Sequence, residues 1–171
     1  MFARLACCVL IVMSAATCGT CGSSSVSNTS RCVEAKLCLT ISGPLAGTTG
    51  KLLTDPDCIV GAGLDVQFTT TIAGRESTLE IDVTDPSLAR TDYRAGTYTV
   101  GPHTGAQPSA SLWLTPDQNV TGYPGGWYTD ASGASGSITL AAKPGGTVNN
   151  VVAVPKQGSG SLTIHGTFSC T

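Results

Sequence analysis

Apolar and polar residues alternate with period 2 along most of the chain beyond residue 35. In "LDVQFTTTI" (64 to 72), Leu64, Val66, Phe68, Thr70 and Ile72 share one phase. In "STLEIDV" (77 to 83), Leu79, Ile81 and Val83 alternate with Thr78, Glu80 and Asp82. Successive side chains of a strand point to opposite faces, so each stretch predicts a strand with one buried face. The link between them, "AGRE", is short, polar and contains glycine, which predicts a hairpin. Further strands are expected in "KLCLTIS" (36 to 42), "GTYTVG" (96 to 101), "SASLWLT" (109 to 115), "GSITLAA" (136 to 142), "VNNVVAV" (148 to 154) and "SLTIHGTFSC" (161 to 170). The segments "TDPD", "TDPS", "KPGG" and "SGPLAG" carry the Pro, Gly and Asp chemistry of turns. No helical period is sustained in this region. The expectation is an all-β domain over residues 32 to 171, an antiparallel immunoglobulin-like sandwich or barrel of about seven to nine strands.

The N-terminal residues are of a different kind. "MFAR" carries one positive charge, and "LACCVLIVMSAA" is apolar and uncharged. Residues 1 to 17 therefore read as a helical signal segment, too short to span a bilayer comfortably. "GTCGSSSVSNTS" has the Gly/Ser/Thr composition of a flexible tether, and residues 18 to 31 are assigned to an anchor and spacer reaching about 40 Å at most. Cys18 and Cys21 have CxxC spacing, yet no βαβ pattern follows to support a redox dithiol. A zinc site from Cys18, Cys21, Cys32 and Cys38 would need reduced thiolates in an exported chain. Export and processing is the better reading.

Ala15-Ala16-Thr17 before Cys18 resembles a bacterial lipoprotein signal, in which a Cys preceded by small residues is diacylated and becomes the mature N-terminus. The expectation is lipid on Cys18, with Cys21 the alternative because it would leave an even number of thiols. Ordinary cleavage near Ala16 would instead release a soluble secreted domain.

In the last strand Cys170 shares its phase with Leu162, Ile164, Gly166 and Phe168, so it is expected to face the core. Its candidate disulfide partner is Cys58, just ahead of the hairpin. Cys32 and Cys38 form a possible second pair only if "CVEAKLC" turns, because a straight strand would separate their Cα atoms by roughly 20 Å.

The leading Cys, Cys58, the Gly-punctuated strands and the closing "SGSLTIHGTFSCT" together resemble the small surface lipoprotein antigens of mycobacteria and other actinobacteria. The resemblance implies an acylated Cys, a tether and a compact β-domain in which an early Cys is joined to one at the C-terminus. It implies location and architecture more than chemistry.

Charge and motifs narrow the function. The net charge is −2 with 12% charged residues and no basic stripe, which argues against nucleic acid as a partner. The only two histidines are His103, in a Pro/Gly turn, and His165, on the solvent phase of the last strand; neither sits in a nucleophile motif. "GPLAGTTGK" lacks the first Gly and the Ser/Thr of a phosphate loop, with Leu45 and Leu52 in their places, and reads as a connection between strands. "DQNVTG" opens like a calcium loop with Asp117, Asn119, Thr121 and Gly122, but Tyr128 stands where the bidentate Glu belongs, and it reads as a turn. No cofactor or metal is expected.

"GYPGGWYTD" gathers Tyr123, Trp127 and Tyr128 into a possible ligand loop for a carbohydrate or a protein, unless Trp127 begins a strand and plugs the fold. The function expected is a membrane-anchored, monomeric bacterial surface lipoprotein with a non-enzymatic binding or structural role. The alternative is a soluble secreted binding domain, and a secreted hydrolase comes third.

Overall fold

The hairpin of "LDVQFTTTI" and "STLEIDV" is the longest paired unit of the chain. In the computed structural model, which describes residues 32, 35–102, 105, 107–116 and 125–171, β4 (Gly63–Ile72) and β5 (Arg75–Thr84) pair without interruption from Gly63↔Thr84 to Ile72↔Arg75. The link is only Ala73-Gly74, shorter than the expected "AGRE". Both residues have positive φ, 51° and 76°, the two-residue geometry whose twist matches that of the flanking strands.

The other described strands are β1 (Leu37–Ser42), β2 (Gly47–Leu52), β3 (Asp57–Val60), β6 (Gly96–Thr99), β7 (Ser109–Pro116), β8 (Trp127–Tyr128), β9 (Ser135–Leu140), β10 (Gly145–Pro155) and β11 (Leu162–Ser169). They pair in the order β11-β1-β2-β4-β5-β7-β8-β10, and β10 pairs again with β11. The result is a closed antiparallel barrel of eight strands, the barrel of the two expected architectures. β3 adds to β4 outside the ring, and β9 and β6 extend from β10. The signal helix expected over residues 1 to 17 and the tether over 18 to 31 lie outside the described residues.

β2 and β3 correct the sequence reading, which took "GPLAGTTGK" as a connection and placed no strand at 57 to 60. "GTTGKL" has no apolar alternation because its key inward residue is a threonine. Thr49 is buried at 1% exposure, accepts from the Leu39 N–H at 3.0 Å and donates to the Leu37 carbonyl at 3.1 Å. A side chain thus supplies β1–β2 bonds that a longer backbone ladder would otherwise make. Thr70 on β4 plays the same part toward the Gly50 and Lys51 carbonyls, where the β2–β4 register shifts between Thr49 and Leu52.

The inward residues form one core, including Leu39, Ile41, Phe68, Leu79, Ile81, Leu112, Leu114, Ile138, Ile164 and Phe168. Phe68 and Phe168 meet edge to face, with ring centroids 6.4 Å apart, joining β4 to β11 through the interior. Gly166 marks a close approach of β11 to β1. It pairs with Leu39 on one side and Val148 on the other at φ +140°, and a Cβ there would lie 2.0 Å from the Cys38 carbonyl oxygen.

Two disulfides complete the framework. Cys58 on β3 joins Cys170, just beyond β11, with Cα atoms 6.0 Å apart; both side chains pack against the core, as the phase of the last strand predicts for Cys170. Cys32 joins Cys38 with Cα atoms 5.1 Å apart, so the two do not stand on one straight strand.

Candidate ligand-binding face

The polar phases of the strands build a continuous outer surface. Register places Asp57 opposite Gln67, Gln67 opposite Glu80, Glu80 opposite Trp113, and Trp113 opposite Tyr128. One row therefore crosses β3, β4, β5, β7 and β8, about 19 Å for four interstrand steps. The adjacent row carries Ile59, Asp65 and Asp82 and ends at Ser111, which is buried.

The strip has two halves that meet at Glu80. A depression of ≈ 140 Å³ is lined by Asp57, Ile59, Asp65, Gln67 and Glu80. A larger cleft of ≈ 390 Å³ is lined by Glu80, Trp113, Thr115, Gly125, Trp127, Tyr128, Asp130 and Lys156. Ile59 is 59% exposed, the most exposed of the three large exposed apolar residues in the described part of the chain. Partial burial, then the neighbouring Asp82 and Asp57, hold the Asp65 carboxyl above the ordinary carboxylate range. Burial, then Asp65 and Asp82, do the same to Glu80. The Arg94–Asp85 ion pair lies outside this strip.

Of the expected ligand loop, only part falls here. Tyr128 points outward into the cleft. Trp127 is 1% exposed and donates from Nε1 to the Gly160 carbonyl at 3.0 Å, so it plugs the barrel and shows the cleft only its edge. Tyr123 lies outside the described residues, as do His103, the "DQNVTG" segment, and the lipidation candidates Cys18 and Cys21. His165 is exposed on β11 opposite Thr40, on a strand that contributes nothing to the strip.

Trp113 was missed as a site residue. Its signal was present in "SASLWLT", where a tryptophan occupies the polar phase between the inward Leu112 and Leu114. No group of three His, Cys, Asp or Glu side chains among the described residues is placed to hold a metal ion. The strip presents hydrogen-bond acceptors, negative charge and aromatic surface side by side on one sheet. Comparison with known proteins matches this chain to no family model, no curated protein and no solved structure.

Proposed function

We propose that this chain is an exported bacterial surface lipoprotein, anchored through lipid on Cys18 or alternatively Cys21, whose barrel has a non-enzymatic binding role. The observation that carries the reading is the cysteine arrangement. Cys32, Cys38, Cys58 and Cys170 are all consumed in two disulfides, as suits an oxidising compartment. Ahead of them stand an uncharged apolar run, which holds Cys7 and Cys8, and the CxxC pair Cys18 and Cys21.

The outer strip from Asp57 to Tyr128 is the proposed binding face. It combines aromatic area with acceptors, and β-strands hold these groups in fixed positions.

Metabolic labelling with a fatty acid tests the anchor. Label should enter the wild-type protein and be lost in Cys18→Ala. Label retained in Cys18→Ala and lost in Cys21→Ala moves the lipid to the alternative residue. An unlabelled, released protein would leave a soluble secreted binding domain as the reading.

A further inference from the structure

Two features of the outer strip call for a common explanation. The first is a concentration of like charge. Asp65 and Asp82 are direct cross-strand neighbours, an arrangement that destabilises a sheet; Glu80 lies two residues along β5 from Asp82, and Asp57 lies on β3, beside Asp65's strand. Lys156, at the far end, belongs to the aromatic cleft. The second is that this charge runs directly into that cleft through Glu80, with Ile59 exposed at the opposite end. A hydrophobic side chain with a water-exposed surface, a bank of carboxylates and two half-buried aromatic rings therefore lie along one line.

We infer that the strip from Ile59 and Asp57 to Tyr128 is a docking surface for an extended, lysine- or arginine-rich segment of a partner protein. The inference deepens the binding role proposed above and rests on it. Charge complementarity selects the occupant. A cationic head set among Asp57, Asp65, Asp82 and Glu80 relieves their mutual repulsion, while its aliphatic stem covers Ile59. A second cation, or the stem of one, lies against the faces of Trp113 and Tyr128, where a guanidinium or ammonium is attracted by the ring. The length agrees as well: about six extended residues reach across the strip's roughly 19 Å. A neutral oligosaccharide would use the aromatic rings but would leave the paired carboxylates unrelieved.

The two tryptophans of the chain provide the readout, since Trp113 is on the strip and Trp127 is in the core. Fluorescein-labelled hexalysine is titrated into the full chain in non-ionic detergent, and binding is followed by anisotropy together with the two indole N–H signals in NMR spectra. Hexalysine should shift the Trp113 signal, leave that of Trp127 in place, and bind more weakly as salt is raised. Asp65→Asn with Glu80→Gln should weaken binding about tenfold. The charge-matched control, Glu76→Gln with Asp92→Asn, should change it less than about twofold. Glu76 lies about 13 Å along the strand from Glu80, beyond a Debye length at physiological salt. An unmoved Trp127 signal reports that each variant is folded, and the salt titration of the wild type is independent of any variant.

The inference is overturned if hexalysine leaves Trp113 unmoved, or if both double variants weaken binding equally. It is also overturned if cellohexaose shifts Trp113 where hexalysine does not; that result keeps the binding face and replaces its occupant. Loss of fatty-acid labelling would sink the anchor and leave this experiment unaffected.

Discussion

Asp65 on β4 and Asp82 on β5 are direct cross-strand neighbours on the outer face of the barrel. Asp82 accepts a hydrogen bond from the Thr84 hydroxyl at 3.1 Å, and neither carboxylate has a cation paired with it among the described residues. The pair costs stability, so Asp65→Asn should raise it, by on the order of 0.2–1 kcal/mol at neutral pH. The sign of the pH dependence follows from the raised carboxyls of Asp65 and Glu80. Between the ordinary value and the raised one, the folded chain holds more protons than the unfolded chain, and stability falls as pH rises through that window. Urea unfolding at a series of pH values should show the gain from Asp65→Asn at neutral pH and lose it below the ordinary aspartate value of 3.8.

Asp85 should behave in the opposite sense. It is 1% exposed and accepts from the Ser87 hydroxyl and from the Ser87 N–H at 3.0 Å, while Arg94 approaches its second oxygen at 3.1 Å. The Ser87 hydroxyl, the Ser87 N–H and the Arg94 charge outweigh burial and hold its carboxyl below the ordinary range. Its contribution is present above the unfolded value and is lost as pH falls through the lowered folded value. Asp85→Asn should therefore destabilise the protein at neutral pH, with the difference from wild type narrowing on acidification. A constant difference across pH would show that the carboxylate's charge plays no part.

The two disulfides should differ in weight. Cys58 and Cys170 are 112 residues apart, whereas Cys32 and Cys38 are 6 apart. Loop-closure entropy in the unfolded chain makes the long bridge about 2.6 kcal/mol more stabilising than the short one. Removing the long bridge in a Cys58→Ala/Cys170→Ala chain should cost about 2–5 kcal/mol by denaturant unfolding. Equal losses from the two double variants would refute this ordering.

Trp127 and Trp113 should also separate cleanly. Trp127→Ala removes a plug from the seam where β8 joins β7 to β10, and should cost about 3–5 kcal/mol. Trp113→Ala acts on the outer face and should leave thermal unfolding nearly unchanged while affecting ligand binding. A large stability loss at Trp113 would mean that its ring is structural.

The strands legible in the sequence were those whose inward phase is aliphatic or aromatic, as in Leu64, Val66, Phe68 and in Leu79, Ile81, Val83. The Cys58–Cys170 bridge was legible for the same reason, since strand phase alone turned Cys170 inward. β2 was hidden because Thr49 secures it by hydrogen bonds and not by burial of an apolar side chain. β3 was hidden because Ile59 and Val60 are exposed and only Cys58 of its residues packs against the core. Apart from Tyr128, the proposed binding strip was not read, because its rows depend on register between strands far apart in sequence. Glu80 and Trp113 become neighbours only when β5 pairs with β7.

The central claim, export followed by lipid attachment at Cys18, is tested most directly by the intact mass of the protein recovered from its native membrane, before and after thiol alkylation. The mass should correspond to a chain beginning at Cys18, increased by its acyl groups and reduced by the thiol hydrogens lost in two disulfides. A single alkylatable thiol, that of Cys21, should remain. A chain beginning at Met1, or a processed chain without acyl mass, would contradict the claim.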